Sequence, residues 1–270
     1  MDLIEIYLAQ MVRDRKSSGT IAQKKRMLEL LPMSVESLTF EIFEPWWENF
    51  QYRADGTLKA AKTVGAELSH LKSFYKWAIR KRYLSLNPCE GVDAPKQGSS
   101  RPRPTRETDL SKAMSSAQPM MARMLALGAF AGLRSAEIAN LDWNDIDLTS
   151  RMLWVRHGKG DKDRSVPVGT ALAGYLAPVG TGRVITMANG STISPKGVSS
   201  RINRFLRSQG IESTAHKLRA RYATTALEKS GDLILVKDLL GHSSVATTQL
   251  YLLASTSKAR ALADAVGEIG

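Results

Sequence analysis

The chain has 270 residues, 43% of them hydrophobic, enough for two domains or one large one with real cores. It carries 38 Lys and Arg against 26 Asp and Glu, a net charge of +12, which points to a polyanionic partner, most simply nucleic acid. A single cysteine, Cys89, excludes an intramolecular disulfide and a cysteine-based zinc site, and there is neither a signal peptide nor an apolar run of about 18 residues, so a reducing cytoplasm without membrane attachment is expected.

Leu3, Ile6, Tyr7 and Gln10-Met11 mark an amphipathic helix at the start. Pro45-Trp46-Trp47 reads as a helix N-terminus with a bulky anchor, and the two Trp as core packing. Val64, Leu68, Leu71, Tyr75 and Ala78 recur at helical spacing, with Asn87-Pro88 closing that helical region. The opposite face carries Lys62, Lys72, Lys76 and Arg80, then Lys81 and Arg82, bases expected to contact DNA phosphates. Residues 95–106 are rich in Pro, Gly and Ser, hold four bases and lack an apolar period, the signature of an extended linker. At ~3.3 Å per residue it reaches about 40 Å, enough to pass around a duplex. A plain tether fits as well, and Arg101, Arg103 and Arg106 would add affinity for phosphate in either case.

Beyond the linker, Thr105 to Glu107 caps a helix through Ala117, and Met120 to Leu133 is an apolar helix that runs into Gly132. Met152–Val155 and Arg164–Val168 read as strands around the turn Gly158-Lys159-Gly160-Asp161. Helices return from Pro195 onward, and no internal repeat is present. The base excess grows along the chain: 15 against 12 acids in residues 1–100, and 23 against 14 in residues 101–270.

Each chemical motif is weak alone. Gly132-Leu133-Arg134-Ser135-Ala136-Glu137 fits a helix boundary with an Arg134–Glu137 pair one turn apart. Gly158 to Arg164 fits an exposed hairpin of solvated charges, and it lacks the spacing of a phosphate-binding P-loop. His216 and Arg219 share a helix face, Gly241-His242 fits a helix stop, and Tyr251 fits a packed aromatic. Together they form one pattern. From His216 the offsets are 3 to Arg219, 26 to His242 and 35 to Tyr251. These spacings, the Leu239-to-Tyr251 run, the Gly-Leu-Arg-x-x-Glu box and the Gly-Lys-Gly-x-Lys-x-Arg hairpin closely resemble the tyrosine recombinase (phage integrase) family. The motifs cover about residues 105–255, and the helical N-terminal third resembles the family in general layout.

Elementary chemistry agrees with the resemblance. A phosphodiester under attack gains negative charge, and Arg134 and Arg219 offer permanently charged forks matched to phosphate. His216 and His242 can donate hydrogen bonds or relay protons near neutrality. Tyr251 becomes a nucleophile where positive neighbours favour phenolate, and Lys159 can protonate the leaving 5′ oxygen.

The resemblance implies a mainly α fold with a small antiparallel sheet, arranged as a two-domain C-shaped clamp on DNA. It assigns 1–94 to a helical core-binding (SAM-like) domain, 95–106 to the basic linker, and 107–270 to a catalytic domain with a C-terminal helix. It implies the matching roles of Lys159 as general acid and Tyr251 as the residue that forms a 3′-phosphotyrosine bond, without metal or cofactor. It implies double-stranded DNA with a specific core site as partner, a homo-tetramer on two such sites, a Holliday junction and, in some members, accessory factors. The chain starts almost directly in the core-binding domain, so an Xer-like recombinase or compact phage or mobile-element integrase without an arm-binding domain is expected. Residues 257–269 are expected to pack as a helix on a neighbouring subunit, the alternative being packing on their own catalytic domain. Ala220 departs from the family's common His at that position, and Thr247, Thr248 and the nearby serines read as capping and packing residues. The alternatives from other classes are a type IB topoisomerase and a non-catalytic DNA-binding regulator.

Overall fold

The computed structural model describes residues 2–96, 103–156, 163–242 and 248–249. The chain divides into two compact units, Met1–Ser99 and Ser100–Gly270, and the division falls inside the predicted linker. Among the described residues it is mainly helical, with one three-stranded antiparallel sheet. No helix among them is long and apolar enough to cross a membrane.

Among its described residues the first unit holds four helices: α1 (Leu3–Arg13), α2 (Ser18–Glu29), α3 (Phe40–Phe50) and α4 (Ala61–Arg80). Asp2 starts α1 by accepting from the Ile4 N–H, and Ser17 starts α2 by accepting from Thr20, each satisfying an otherwise orphaned donor. Leu3, Tyr7 and Met11, four residues apart, bury one face of α1. Val64, Leu68, Leu71, Tyr75 and Ala78 do the same for α4, with Phe74 and Trp77 beside them. Pro45 lies inside α3 rather than at its start. Its missing N–H forfeits one helical bond, and burial of Phe43 and Trp47 on a common face holds the helix across it. Trp46 is only partly buried, so the packing role falls mainly on Trp47. The long helix ends at Arg80, before Asn87-Pro88, where Arg82 turns the chain with φ +61°.

The second unit begins with α5 (Glu107–Ser116), α6 (Pro119–Phe130) and α7 (Ser135–Asn140). Thr105 does not cap α5; it is buried, and its hydroxyl pairs with that of Ser213 while its N–H meets the Lys217 carbonyl. Apolar on nearly every side, α6 forms the centre of this core. The sheet follows, with β1 (Ile146–Asp147) added to the two expected strands, β2 (Met152–Val155) and β3 (Arg164–Pro167). Ile146 opposes Leu153, and Leu153 opposes Val166; all three face the core while Trp154 faces out, the period-two alternation of a half-covered sheet. Helices resume earlier than expected, with α8 (Thr170–Leu176), whose Leu172 and Leu176 share a buried face. Then come α9 (Pro195–Ser208), α10 (Ala215–Ser230) and α11 (Leu233–Leu240). Packing of α10 against α6 and α11, and of α11 against β3, assembles the site.

Candidate active site

Between α6 and α7 the chain reverses at Gly132, whose φ of +66° suits glycine, and a Cβ there would lie 2.5 Å from a Tyr222 ring carbon. The turn delivers Arg134 to the N-cap of α7. Glu137, three residues on, accepts from the Arg134 backbone N–H at 2.8 Å and from its Nη1 at 2.8 Å. The pair expected from sequence therefore forms, but Glu137 is buried at 8% exposure and serves more than Arg134. Arg164, the first residue of β3, sets Nη1 and Nη2 on the two carboxylate oxygens at 2.9 and 2.8 Å. Arg219, one turn into α10, brings Nη1 to 3.6 Å from Glu137 and donates from it to the Gly132 carbonyl at 2.5 Å.

The same three guanidiniums grip the C-terminus of α11. The last carbonyls of a helix lack intrahelical partners and carry its negative end. Here Arg164 Nε donates to Leu239 O at 2.8 Å, Arg219 Nη2 to Leu240 O at 2.6 Å and Arg134 Nη2 to Gly241 O at 3.1 Å. Gly241 closes the helix with φ +62°, and its Cα side lies so near Arg164 that a Cβ would sit 3.1 Å from the guanidinium. His242 follows at once and is thereby held beside all three arginines.

Burial alone would raise the Glu137 carboxyl, but the hydrogen bonds and charge of Arg164, joined by Arg134, outweigh it and bring the pKa down to about 2. His242 goes the other way for its charge type: burial first, then Arg219, Arg134, Arg164 and His216, push its pKa down to about 4. The ring is neutral at physiological pH. Its Nδ1 lies 2.9 Å from the hydroxyl of Thr248. His216, in the first turn of α10, is exposed and near enough for its charge to act on His242. That turn is set by Thr214, which accepts from the Lys217 N–H, and by Asn203, which accepts from the Ala215 N–H.

The described residues thus bring Arg134, His216, Arg219 and His242 into one site, while Lys159, Lys162, Tyr251 and the segment 257–269 lie outside them. Two neighbours escaped the sequence reading. The hairpin reading makes Arg164 one of several solvated charges, although its closing place in the Gly-Lys-Gly-x-Lys-x-Arg box marks it; its side chain is only 9% exposed. Thr248 had no local signal. Ala220, the departure from the family pattern, packs in an apolar cluster with Ala223, Leu227, Val236 and Leu240, and the next residue, Arg221, ties α10 to α5 through both oxygens of Glu107.

Of the residues proposed for DNA, Lys62, Lys76 and Arg80 are exposed on α4. Lys72 is half-buried and donates to the Val92 carbonyl at 2.5 Å, so it braces α4 against the following segment. Arg103 is exposed, Arg106 is exposed but paired with Asp109 at 2.8 Å, and Arg101 lies outside the described residues.

Residues 105–258 match the model of the phage integrase family. The chain is 35% identical over 206 residues to the tyrosine recombinase XerC of Proteus mirabilis, covering 70% of this chain and 67% of that one. It is 30% identical over 272 aligned positions to XerC of Escherichia coli K12, covering 92% and 90%. In fold it is similar to a lambda integrase dimer bound to a core site, with TM-score 0.73 and 17% identity over 92% of this chain and 93% of that one.

Proposed function

Because the chain belongs to the phage integrase family, the tyrosine recombinases, we propose that Arg134, Lys159, His216, Arg219, His242 and Tyr251 form its DNA-cleaving site. The protein is a tyrosine-type site-specific DNA recombinase, which cuts and rejoins DNA through a protein–DNA phosphotyrosyl bond. The observation that carries the site assignment is the convergence of three guanidiniums on one carboxylate and on the end of α11, beside a neutral histidine. Three positive charges against one negative leave an excess suited to a phosphate that gains a second negative charge in its transition state.

In this reading the Tyr251 phenolate attacks the scissile phosphorus, and the P–O5′ bond breaks. Lys159 supplies the proton that the departing 5′ oxygen takes up. Arg134 and Arg219 neutralise the non-bridging oxygens, and their contacts to Glu137, Gly132 and the α11 carbonyls set their direction beforehand. His242 donates to one of those oxygens, and His216 assists proton movement at the nucleophile. Attack by a 5′-hydroxyl on the phosphotyrosine reverses the step without an energy source, since the bond energy is stored in the protein–DNA link. A hydroxyl from a second duplex makes the reversal an exchange.

The proposed assembly is a homo-tetramer on two core sites of double-stranded DNA, passing through a Holliday junction in integration, excision or dimer resolution. Lys62, Lys76 and Arg80, with Arg101, Arg103 and Arg106, are the proposed backbone contacts, supported by their exposure where described and by the chain's positive charge. A library of nicked duplexes with a randomised core, captured covalently by the wild-type protein, identifies the site. On that duplex Tyr251→Phe should bind but give no covalent band on a denaturing gel. A persistent band would remove Tyr251 from the chemistry.

A further inference from the structure

Thr248 is fully buried, with 0% of its surface exposed, and its Oγ1 lies 2.9 Å from Nδ1 of His242. Its place six residues after His242 and three before Tyr251 connects the histidine to the segment that leads, in sequence, to the proposed nucleophile. A neutral imidazole carries one N–H, and the partner at one nitrogen decides which nitrogen holds it. A carboxylate or carbonyl at Nδ1 would accept and keep the proton there. A hydroxyl can donate instead. His242 stays neutral at physiological pH because it is buried and faces Arg219 and His216 from α10, Arg134 from the N-cap of α7 and Arg164 from β3. Glu137 lies within this group, but its charge is spent on those arginines. A neutral His242 donates to a phosphate oxygen from Nε2 only if its Nδ1 is the acceptor.

We propose that Thr248 is a positioning residue whose hydroxyl donates to Nδ1 of His242 and holds the ring in the Nε2-protonated tautomer, the form that can donate to a phosphate oxygen. The inference rests on the proposed role of His242 and adds the group that makes that role possible. It differs from simple packing in what it requires of the side chain: Ser keeps the function and the isosteric Val loses it.

The test measures single-turnover covalent cleavage of the captured nicked duplex by the wild-type chain and by Thr248→Ser, Thr248→Val, His242→Ala and the Thr248→Val/His242→Ala double variant. Thr248→Val should slow cleavage by about 10- to 100-fold, the range found when a metal-bound histidine loses its outer hydrogen-bond partner, while Thr248→Ser stays near wild type. In the His242→Ala background Thr248→Val should cost nothing further, because the two act as one unit. An equal loss with and without His242 would overturn the proposal, as would Thr248→Val at the wild-type rate. His242→Ala at the wild-type rate would instead sink the role of His242 itself. The imidazole nitrogen signals of the free, 15N-histidine-labelled chain at neutral pH give an answer that does not depend on cleavage or on folding of the Val variant. The wild-type and Thr248→Ser proteins should show His242 protonated at Nε2, and protonation at Nδ1 in the wild type would refute the assignment.

Discussion

Glu137 is the buried carboxylate on which the charge balance of the site turns. Replacing it by Gln keeps the shape and removes the one negative charge that three guanidiniums share. The folded protein holds this carboxyl at about 2, against an ordinary value of 4.5. The difference of about 2.5 units, at ~1.4 kcal/mol each, corresponds to about 3–4 kcal/mol of stability at neutral pH. That agrees with the range of roughly 3–5 kcal/mol for breaking a buried ion pair from one side. For a unit of this size it lowers the melting temperature by roughly 7–14 °C. The pH dependence has a definite sign. A depressed carboxylate stabilises the fold above its unfolded pKa of 4.5, and that contribution is lost as pH falls through the folded value of about 2. Calorimetry of the full chain should therefore show a gap between wild type and Glu137→Gln that is full at neutral pH and shrinks between about pH 4.5 and 2. Sulfate should raise the melting temperature of the variant more than that of the wild type, because an anion replaces the missing charge among the arginines. Equal melting temperatures at neutral pH, or a gap that does not change down to the lower end of that window, would refute the charge balance drawn from the geometry.

Arg134→Ala and Arg219→Ala should each lower the cleavage rate by roughly 10²–10³ with far smaller effects on DNA binding. They should differ in stability: the Arg219 side chain is 3% exposed and supports Gly132 and Leu240, whereas that of Arg134 is 24% exposed, so only Arg219→Ala should melt markedly lower. Lys159→Ala should regain activity, relative to wild type, on a duplex with a 5′-bridging phosphorothiolate, because a thiolate leaves without a proton. Equal impairment on both substrates would make Lys159 a phosphate contact and move the acid role to Lys162.

Much of this protein was legible in its residue order. The reaction needs two permanent cations, proton carriers and a phenol, and the turns that present them are local. Gly132 before Arg134, Gly241 before His242, and His216 one turn from Arg219 are each decided by backbone geometry within a few residues, so their spacing survives in the sequence. The apolar faces of α1 and α4 were readable for the same reason, since a helix buries what recurs every three or four residues. Pro45 inside α3 and the short α8 were not, because there burial of Phe43, Trp47, Leu172 and Leu176 overrode weak or misleading local signals.

Apart from the local Arg134–Glu137 pair, the partners of the charges belonged to the tertiary structure alone. Arg164 is 27 residues from Glu137, and Arg219 is 87 from Gly132, so no periodicity links them. Only the packing of α10 and β3 against α11, with Arg164 and Arg219 reaching Glu137 of α7, takes water away from these groups, and once it is gone each buried charge must find a counter-charge or a carbonyl. That requirement turned a presumed solvated hairpin arginine into a brace for the site, let Ala220 fill an apolar gap between two helices, and set a buried threonine against the histidine. The sequence by itself determined which chemistry is available, because that depends on residue types at local turns. The tertiary structure decided which groups restrain one another, because desolvation acts between segments far apart in the chain.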